Sequence, residues 1–228
     1  METHRIAVLS DTHGILRPEA AAVLKTCEAA LHAGDAGSQE VIDQMNKICP
    51  AHVVRGNVDR QWAKKLPREL ETELFGFRIY MVHNKKQIRE DLAGIDIIIY
   101  GHSHKYEVSH TADAVYLNPG SCGPRRFRQP VTMMVLTLFP KEHRFETERI
   151  DLLQSEPVQK ELSELSDRDM YELIRRIIRD VDAGRGTAEI AARSHVDEEF
   201  AQQVCRMYLT HPGVDVDGIM DRLERKNL

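Results

Sequence analysis

Short apolar runs that each stop at an Asp, a His or an Asn constrain this chain more than any other feature. Arg5–Ser10 (RIAVLS) reads as a buried strand ending at Asp11-Thr12-His13. Ala29–Ala33 ends at Gly34-Asp35, and Ala51–Arg55 at Gly56-Asn57-Val58-Asp59. A hairpin-like pair around Gly76 runs to His83, and Asp96–Tyr100 (DIIIY) ends at Gly101-His102-Ser103-His104. Helix-like stretches at Pro18–Glu28 and Gln39–Ile48 alternate with the first strands, the pattern of an α/β domain. Ligands of open α/β sheets gather at the carboxyl ends of the strands. Here the side chains gathered are Asp, His and Asn, a donor set suited to manganese, iron, nickel, cobalt or zinc rather than to calcium or magnesium alone.

Taken singly, each fragment has a bland reading. An Asp after a strand is most often a turn or a helix cap. Gly56-Asn57 can be a hairpin turn, and an isolated His83 a satisfied, half-buried histidine. The pair His102 and His104 is harder to dismiss, because two histidines at i and i+2 after so apolar a strand have no packing motive. Five such endings in one order make chance a poor account.

Further strands are expected at Val108–His110, Val115–Leu117, Val131–Phe139 and Arg144–Leu152, the last two an antiparallel pair turning at Pro140-Lys141-Glu142. Beyond about Ser155 no β-like run remains. Leu162, Leu165, Met170, Leu173, Ile174, Ile177 and Ile178 recur at helical spacing, which predicts domains at 1–154 and 155–228. Residues 1–152 carry twenty basic and twenty acidic side chains, so the whole formal charge of -5 lies in the second part. No apolar run approaches the roughly 20 residues of a membrane span. Four scattered cysteines without a C-x-x-C pair suggest reduced thiols. With no signal-peptide pattern at the start of the chain, a cytoplasmic protein without membrane partners is the expectation.

The ordered set D-x-H, G-D, G-N-x-D, H and G-H-x-H over residues 5–104, with Asn118-Pro119-Gly120-Ser121 after it, resembles the calcineurin-like metallophosphoesterases, in particular their small bacterial and archaeal phosphodiesterase-type branch. The resemblance covers residues 1–152. It implies an α/β/β/α sandwich of two packed sheets with helices outside, to which a small all-helical C-terminal domain is added here. It implies that Asp11, His13, Asp35 and His104 hold one divalent metal, and Asp35, Asn57, His83 and His102 a second, with Asp35 bridging and manganese favoured. The reaction implied is hydrolysis of a phosphate ester by a hydroxide bridging the two metals, which lower its pKa and clamp the attacking and leaving oxygens. Asn57, Asp59 and His83 are the expected catalytic residues, with Asp59 orienting a ligand or its loop. Asn57 and Arg125 are the expected substrate contacts.

Two positions depart from the family pattern. Val58 stands where many phosphomonoester-cleaving relatives have a His that protonates the leaving group, a loss that typically costs 10²–10⁴-fold and favours a phosphodiester with a good leaving group. Asn84 follows His83 where the family usually has Gly, so a left-handed backbone tolerated by Asn is expected there. Lys85 and Lys86 are open between drawing in an anion and plain solvation. His32 is expected to be structural, and Trp62 to pack in the core.

Thr187–Tyr208 has the cadence of a helix-turn-helix, with Asp197 capping the second helix. Acidic residues 197–199 there, in an acidic segment, argue against nucleic acid. They favour a docking or homo-oligomerisation module, a protein partner, or a lid. The rival to the enzyme reading is a catalytically weak scaffold that acts through this helical segment.

Overall fold

The computed structural model describes residues 2–111, 114–124, 129–153, 166–211 and 213–225. These form two compact units, one built from residues up to Pro124 and Pro130–Leu153, the other from the helices that follow.

The first unit holds two five-stranded sheets. In one, β1 (His4–Leu9), β2 (Ala29–His32) and β3 (Ala51–Val53) run parallel. The antiparallel pair β9 (Thr132–Phe139) and β10 (Arg144–Asp151) completes it in the order β10-β9-β1-β2-β3. In the other, the hairpin β4 (Glu69–Leu74) and β5 (Phe77–Val82) joins β6 (Ile97–Ile99), β7 (Tyr106–His110) and β8 (Val115–Pro119) in the order β4-β5-β6-β8-β7. Strands β5, β6 and β8 are parallel.

Alternation along the strands creates the layers, because successive side chains point to opposite faces. Ile6, Val8, Leu31, Met134 and Leu136 of the first sheet meet Ile79, Met81, Ile97, Ile99 and Leu117 of the second in one buried core. The opposite face of the first sheet, with Ala7, Leu9, Ala30 and Val135, packs on α1 (Pro18–Leu24) and α2 (Gln39–Asn46) through Leu24, Val41 and Met45. Over the second sheet, Tyr80, Val82 and Ile98 are covered from residues 88–95 by Ile88, Leu92 and Ile95.

Helix α1 is shorter than its periodicity predicts. The Thr26 hydroxyl donates to the Val23 carbonyl, and the Glu28 N–H donates to Arg5 O at 2.8 Å, so the chain has already joined β1 where a longer helix was expected. Asn84 is extended (φ −106°) rather than left-handed, contrary to expectation. Its Oδ1 accepts the Lys86 N–H at 2.9 Å and caps a 3-10 turn, a role that Gly has no side chain to fill.

The second unit contains α3 (Asp167–Asp182), α4 (Thr187–Ser194), α5 (Glu198–Thr210) and α6 (Val216–Arg225). Ser166 Oγ accepts the Asp169 N–H and Asp197 Oδ1 the Phe200 N–H, capping α3 and α5. Met170, Ile174 and Ile177 pack against Ile190, Phe200, Val204 and Ile219. Among the described residues no helix is long and apolar enough to cross a membrane.

Candidate metal centre

Three parallel strands of each sheet point their carboxyl ends to the same edge, and the side chains singled out by the sequence stand on the loops leaving them. Asp11 and His13 follow β1, Asp35 follows β2, Asn57 and Asp59 follow β3, His83 follows β5, and His102 and His104 follow β6. Donor atoms of Asp11, His13 and His104 lie within 4.8 Å of one another, and so do those of Asp11, Asp35 and His83. Asn57 Oδ1 is 3.0 Å from both His83 Nε2 and His102 Nδ1, so all seven expected ligands form one contiguous cluster. The carboxylate common to the two groups is Asp11.

Backbone conformation aims these side chains. Asp11, His13, Asp35, His102 and His104 all have φ between 47° and 69°. Non-glycine residues pay of order 1 kcal/mol or more there, and such strain clusters at functional sites. Surrounding hydrogen bonds hold the strained turns. The Asp11 N–H donates to Gly34 O and the His13 N–H to Asp35 O, each at 3.0 Å, stitching the first loop to the second.

Each carboxylate has one occupied oxygen and one turned to the cluster. Asp11 Oδ2 accepts the Ser10 hydroxyl at 2.6 Å and the His102 N–H at 3.0 Å. Its Oδ1 is buried without a hydrogen bond, 3.1 Å from His104 Nε2. Burial would raise the Asp11 carboxyl, but His104, whose Nε2 lies 3.1 Å from it, then His83 and Ser10, hold it well below the usual carboxylate range. Asp35 Oδ1 accepts the Val58 N–H at 2.9 Å, and Oδ2 faces His83 Nε2 at 3.3 Å. Asp35 is lowered too, since the His83 hydrogen bond and charge outweigh burial.

His83 Nδ1 meets the Ala33 carbonyl at 2.8 Å, and a carbonyl only accepts, so Nδ1 carries the proton. The Nε2 lone pair of neutral His83 then faces acceptors. A metal-bound histidine typically has this arrangement, its outer nitrogen fixed by a second partner. Without a cation, Asp35 and Asp11 outweigh burial and raise the His83 pKa. Burial and the neighbouring His83 charge lower His102.

The residues fit a divalent ion. Among the described residues Asp11 Oδ1 has no hydrogen-bond partner, and ring nitrogens of His13, His83 and His104 converge with the Asp11 and Asp35 carboxylates. Spacings of 3.0–3.4 Å between the paired atoms match the edges of coordination polyhedra with bonds of about 2.1 Å.

Asp59 does not reach the cluster. Fully buried, it accepts the N–H groups of Ala36 (3.2 Å), Gly37 (2.8 Å) and Gly56 (2.9 Å), locking the loop after β2 to the loop after β3. Arg125 lies outside the described residues. Lys85 pairs with Glu107 at 2.7 Å, and Trp62 packs near Ile42 and Val53.

Further side chains support the cluster. Ser10 orients Asp11. Asn118 Nδ2 donates to Gly101 O and Ser103 Oγ, each at 3.0 Å, while the Ser121 hydroxyl donates to Asp11 O. The signal available was their position at strand ends. His32 anchors a further chain: it accepts the Gly34 N–H at Nδ1 and donates from Nε2 to Thr12 Oγ1, which donates to Ala36 O. Burial lowers its pKa to about 4, which keeps the ring neutral.

Residues 5–140 match the model of the calcineurin-like phosphoesterase superfamily domain, and the chain belongs to that superfamily. It is 33% identical over 144 residues to a protein of Methanothermobacter thermautotrophicus described as a probable metallophosphoesterase, covering 57% of this chain and 84% of that one. A phosphodiesterase of Methanocaldococcus jannaschii is 26% identical over 140 residues, 52% of this chain and 84% of the other. The fold recurs in the solved structure of vacuolar protein sorting 29 from Cryptosporidium parvum, with TM-score 0.53, 18% identity, and coverage of 65% of this chain and 97% of that one.

Proposed function

We propose that the sheet unit is a dinuclear metal-dependent phosphodiesterase. The observation that carries this reading is the pair of three-residue ligand groups joined at Asp11, whose Oδ1 has no hydrogen-bond partner among the described residues. Asp11, His13 and His104 would hold one divalent ion, and Asp35, Asn57, His83 and His102 the other. Family resemblance gives the bridging role to Asp35, whose donor atom lies within 4.8 Å of those of both Asp11 and His83. Two such ions supply Lewis-acid polarisation of the phosphoryl group and a water of lowered pKa. Manganese is the favoured metal.

The protein's own groups do the rest. Neutral imidazoles leave the site net positive and attract the phosphate. Asn57, at the exposed lip, is placed to donate through its amide to a phosphoryl oxygen, and His83 stands beside it. Val58, 39% exposed on the same loop, offers no proton to a leaving alkoxide, which favours diesters with good leaving groups over monoesters. Four buried free cysteines suit a reducing compartment, the cytoplasm.

The test is manganese-supported hydrolysis of bis(4-nitrophenyl) phosphate beside 4-nitrophenyl phosphate, with Asp35→Asn as the blank. Diester cleavage abolished by chelation and absent in the variant supports the proposal. Equal inactivity of wild type and variant across manganese, nickel, cobalt and zinc sinks it.

A further inference from the structure

Several surface cations of the sheet unit have an acidic neighbour. Arg5 faces Glu148, Arg78 and Arg89 face Glu71, Lys85 faces Glu107, Arg144 faces Glu146 and Arg149 faces Asp151. The stretch after Asn57 gathers four cations within nine residues without an acid among them. Arg60, Lys64, Lys65 and Arg68 are all exposed, and none pairs with a carboxylate among the described residues. Asp59, the one acid between positions 55 and 68, is buried and occupied by three backbone N–H groups. Glu69, the next acid along, accepts the Tyr80 hydroxyl at 2.6 Å and lies near Arg89.

This stretch is held in shape from within. Trp62 and Leu66 pack towards Ala36, Ile42 and Val53. The Arg55 N–H donates to Pro67 O and its Nε to Asp59 O, each at 2.7 Å, and the Leu66 N–H donates to Ala63 O at 3.0 Å. Residues 62 and 66 therefore turn inward while 60, 64, 65 and 68 stay in solvent. Arg60 follows Asn57 by three residues, so their Cα atoms are at most about 11 Å apart. An anchored segment that carries four unneutralised cations and starts three residues after Asn57 raises the local concentration of anions.

We propose that Arg60, Lys64, Lys65 and Arg68 form a polyanion subsite adjoining the metal centre, and that the diester cleaved is an internal linkage of single-stranded nucleic acid. The inference rests on the phosphodiesterase reading and names its substrate class. A polynucleotide is a diester that carries further phosphates in series, which is what a row of cations beside the reacting centre fits. A phospholipid would call for an apolar surface, but only Ile15, Val58 and Leu209 are large exposed apolar residues among those described. An acidic polypeptide would suit the charge yet has no phosphodiester to cleave. In the reaction, a water oxygen forms one bond to phosphorus and the bond to the leaving sugar oxygen breaks. That oxygen takes the proton, giving a phosphomonoester end and a hydroxyl end.

The test uses the full chain with manganese, a 5′-fluorescein-labelled 12-residue oligothymidylate and bis(4-nitrophenyl) phosphate. Wild type is compared with the quadruple variant Arg60→Ala, Lys64→Ala, Lys65→Ala, Arg68→Ala, after equal melting temperatures confirm that both are folded. The ratio of kcat/KM for the oligomer to that for the small diester should fall about tenfold or more in the variant, mainly through KM. The log–log salt slope of oligomer binding should become shallower by about 0.7 for each phosphate that the variant no longer neutralises. An unchanged ratio, or stronger competition by polyglutamate than by unlabelled oligomer, overturns the proposal. If wild type cleaves neither ester, the phosphodiesterase reading has failed. The subsite is then judged by anisotropy of the labelled oligomer, and binding that survives in the quadruple variant removes it.

Discussion

Asp59 Oδ1 accepts the Gly37 N–H at 2.8 Å, a bond spanning 22 residues that ties two ligand-bearing loops together. Its other oxygen takes the N–H groups of Ala36 and Gly56. Asp59→Asn keeps the shape but turns an NH₂ group towards N–H donors, stranding at least one of them. A charge-assisted bond of this kind is worth roughly 1.5–3 kcal/mol, and a stranded donor costs a further 1–3 kcal/mol. The variant should lose about 2–4 kcal/mol in denaturant unfolding of the sheet unit. Asp35 and Asn57 sit on the two loops concerned, so manganese affinity should fall about 10–100-fold, measured by calorimetric titration. An unchanged manganese affinity would show that the loops keep their register without this carboxylate.

His32 should remain a neutral Nε2–H tautomer until about pH 4. Its folded pKa lies below the ordinary 6.5, so between those values the unfolded chain binds a proton that the native chain does not. Stability from this residue is therefore present above about pH 6.5 and is lost as the pH falls towards 4. The full shift corresponds to about 3 kcal/mol. Nitrogen NMR of the zinc-loaded protein should show an unprotonated Nδ1 across this range. His32→Gln should flatten the acid side of the stability profile, and a ring that titrates near 6.5 would refute the assignment.

The candidate ligand positions were legible because metal chemistry calls for specific side chains at strand ends, and β1, β2, β3, β5 and β6 each display at least one. The sheets were legible through their apolar runs, from Ile6–Leu9 to Met133–Leu138. Long-range relations were not. Nothing local in Ser10 marks it as the hydroxyl that holds Asp11, and what Asn118 and Ser121 do arises from approaches across 15 to 110 residues. The left-handed φ at five of these candidate ligands was equally hidden, since Asp and His are not residues that advertise it. Asn84 shows the converse. Its tolerance of a left-handed backbone was the natural reading, yet a free Lys86 N–H offered its side chain a capping bond instead.

Gly56 illustrates a close approach that reads in sequence as a simple turn. A Cβ there would collide with the Asp35 carboxylate and with the Asp35 backbone nitrogen. Gly56→Ala must push Asp35 out of line with His83, whose Nε2 it faces at 3.3 Å. Overpacking of this kind costs about 1–3 kcal/mol. Manganese-dependent diester cleavage should drop at least a hundredfold, because a displacement of about 1 Å in a positioned group has an effect of that size. Gly76→Ala, where a Cβ meets nothing within 4 Å but φ is +79°, serves as the control: it should lose stability with much less effect on turnover.

Asp180 organises the helical unit. It is 5% exposed on α3, with Oδ1 receiving Arg185 at 2.6 Å and Oδ2 receiving Arg193 at 3.2 Å. Arg185 follows the C-terminus of α3 and Arg193 lies near the end of α4, so one carboxylate gathers two helix ends. Removing it takes away a partner of Arg193 and of Arg185, but Arg185 keeps Glu189 at 3.2 Å and both guanidinium groups are partly solvated, which limits the penalty. Asp180→Ala should destabilise this unit by about 1–3 kcal/mol, read as faster amide exchange in α3 and α4. Asp180→Asn keeps the acceptor oxygen and should recover part of that loss. Equal destabilisation by both variants would mean that the net charge, rather than the hydrogen bonds, holds the helices in place.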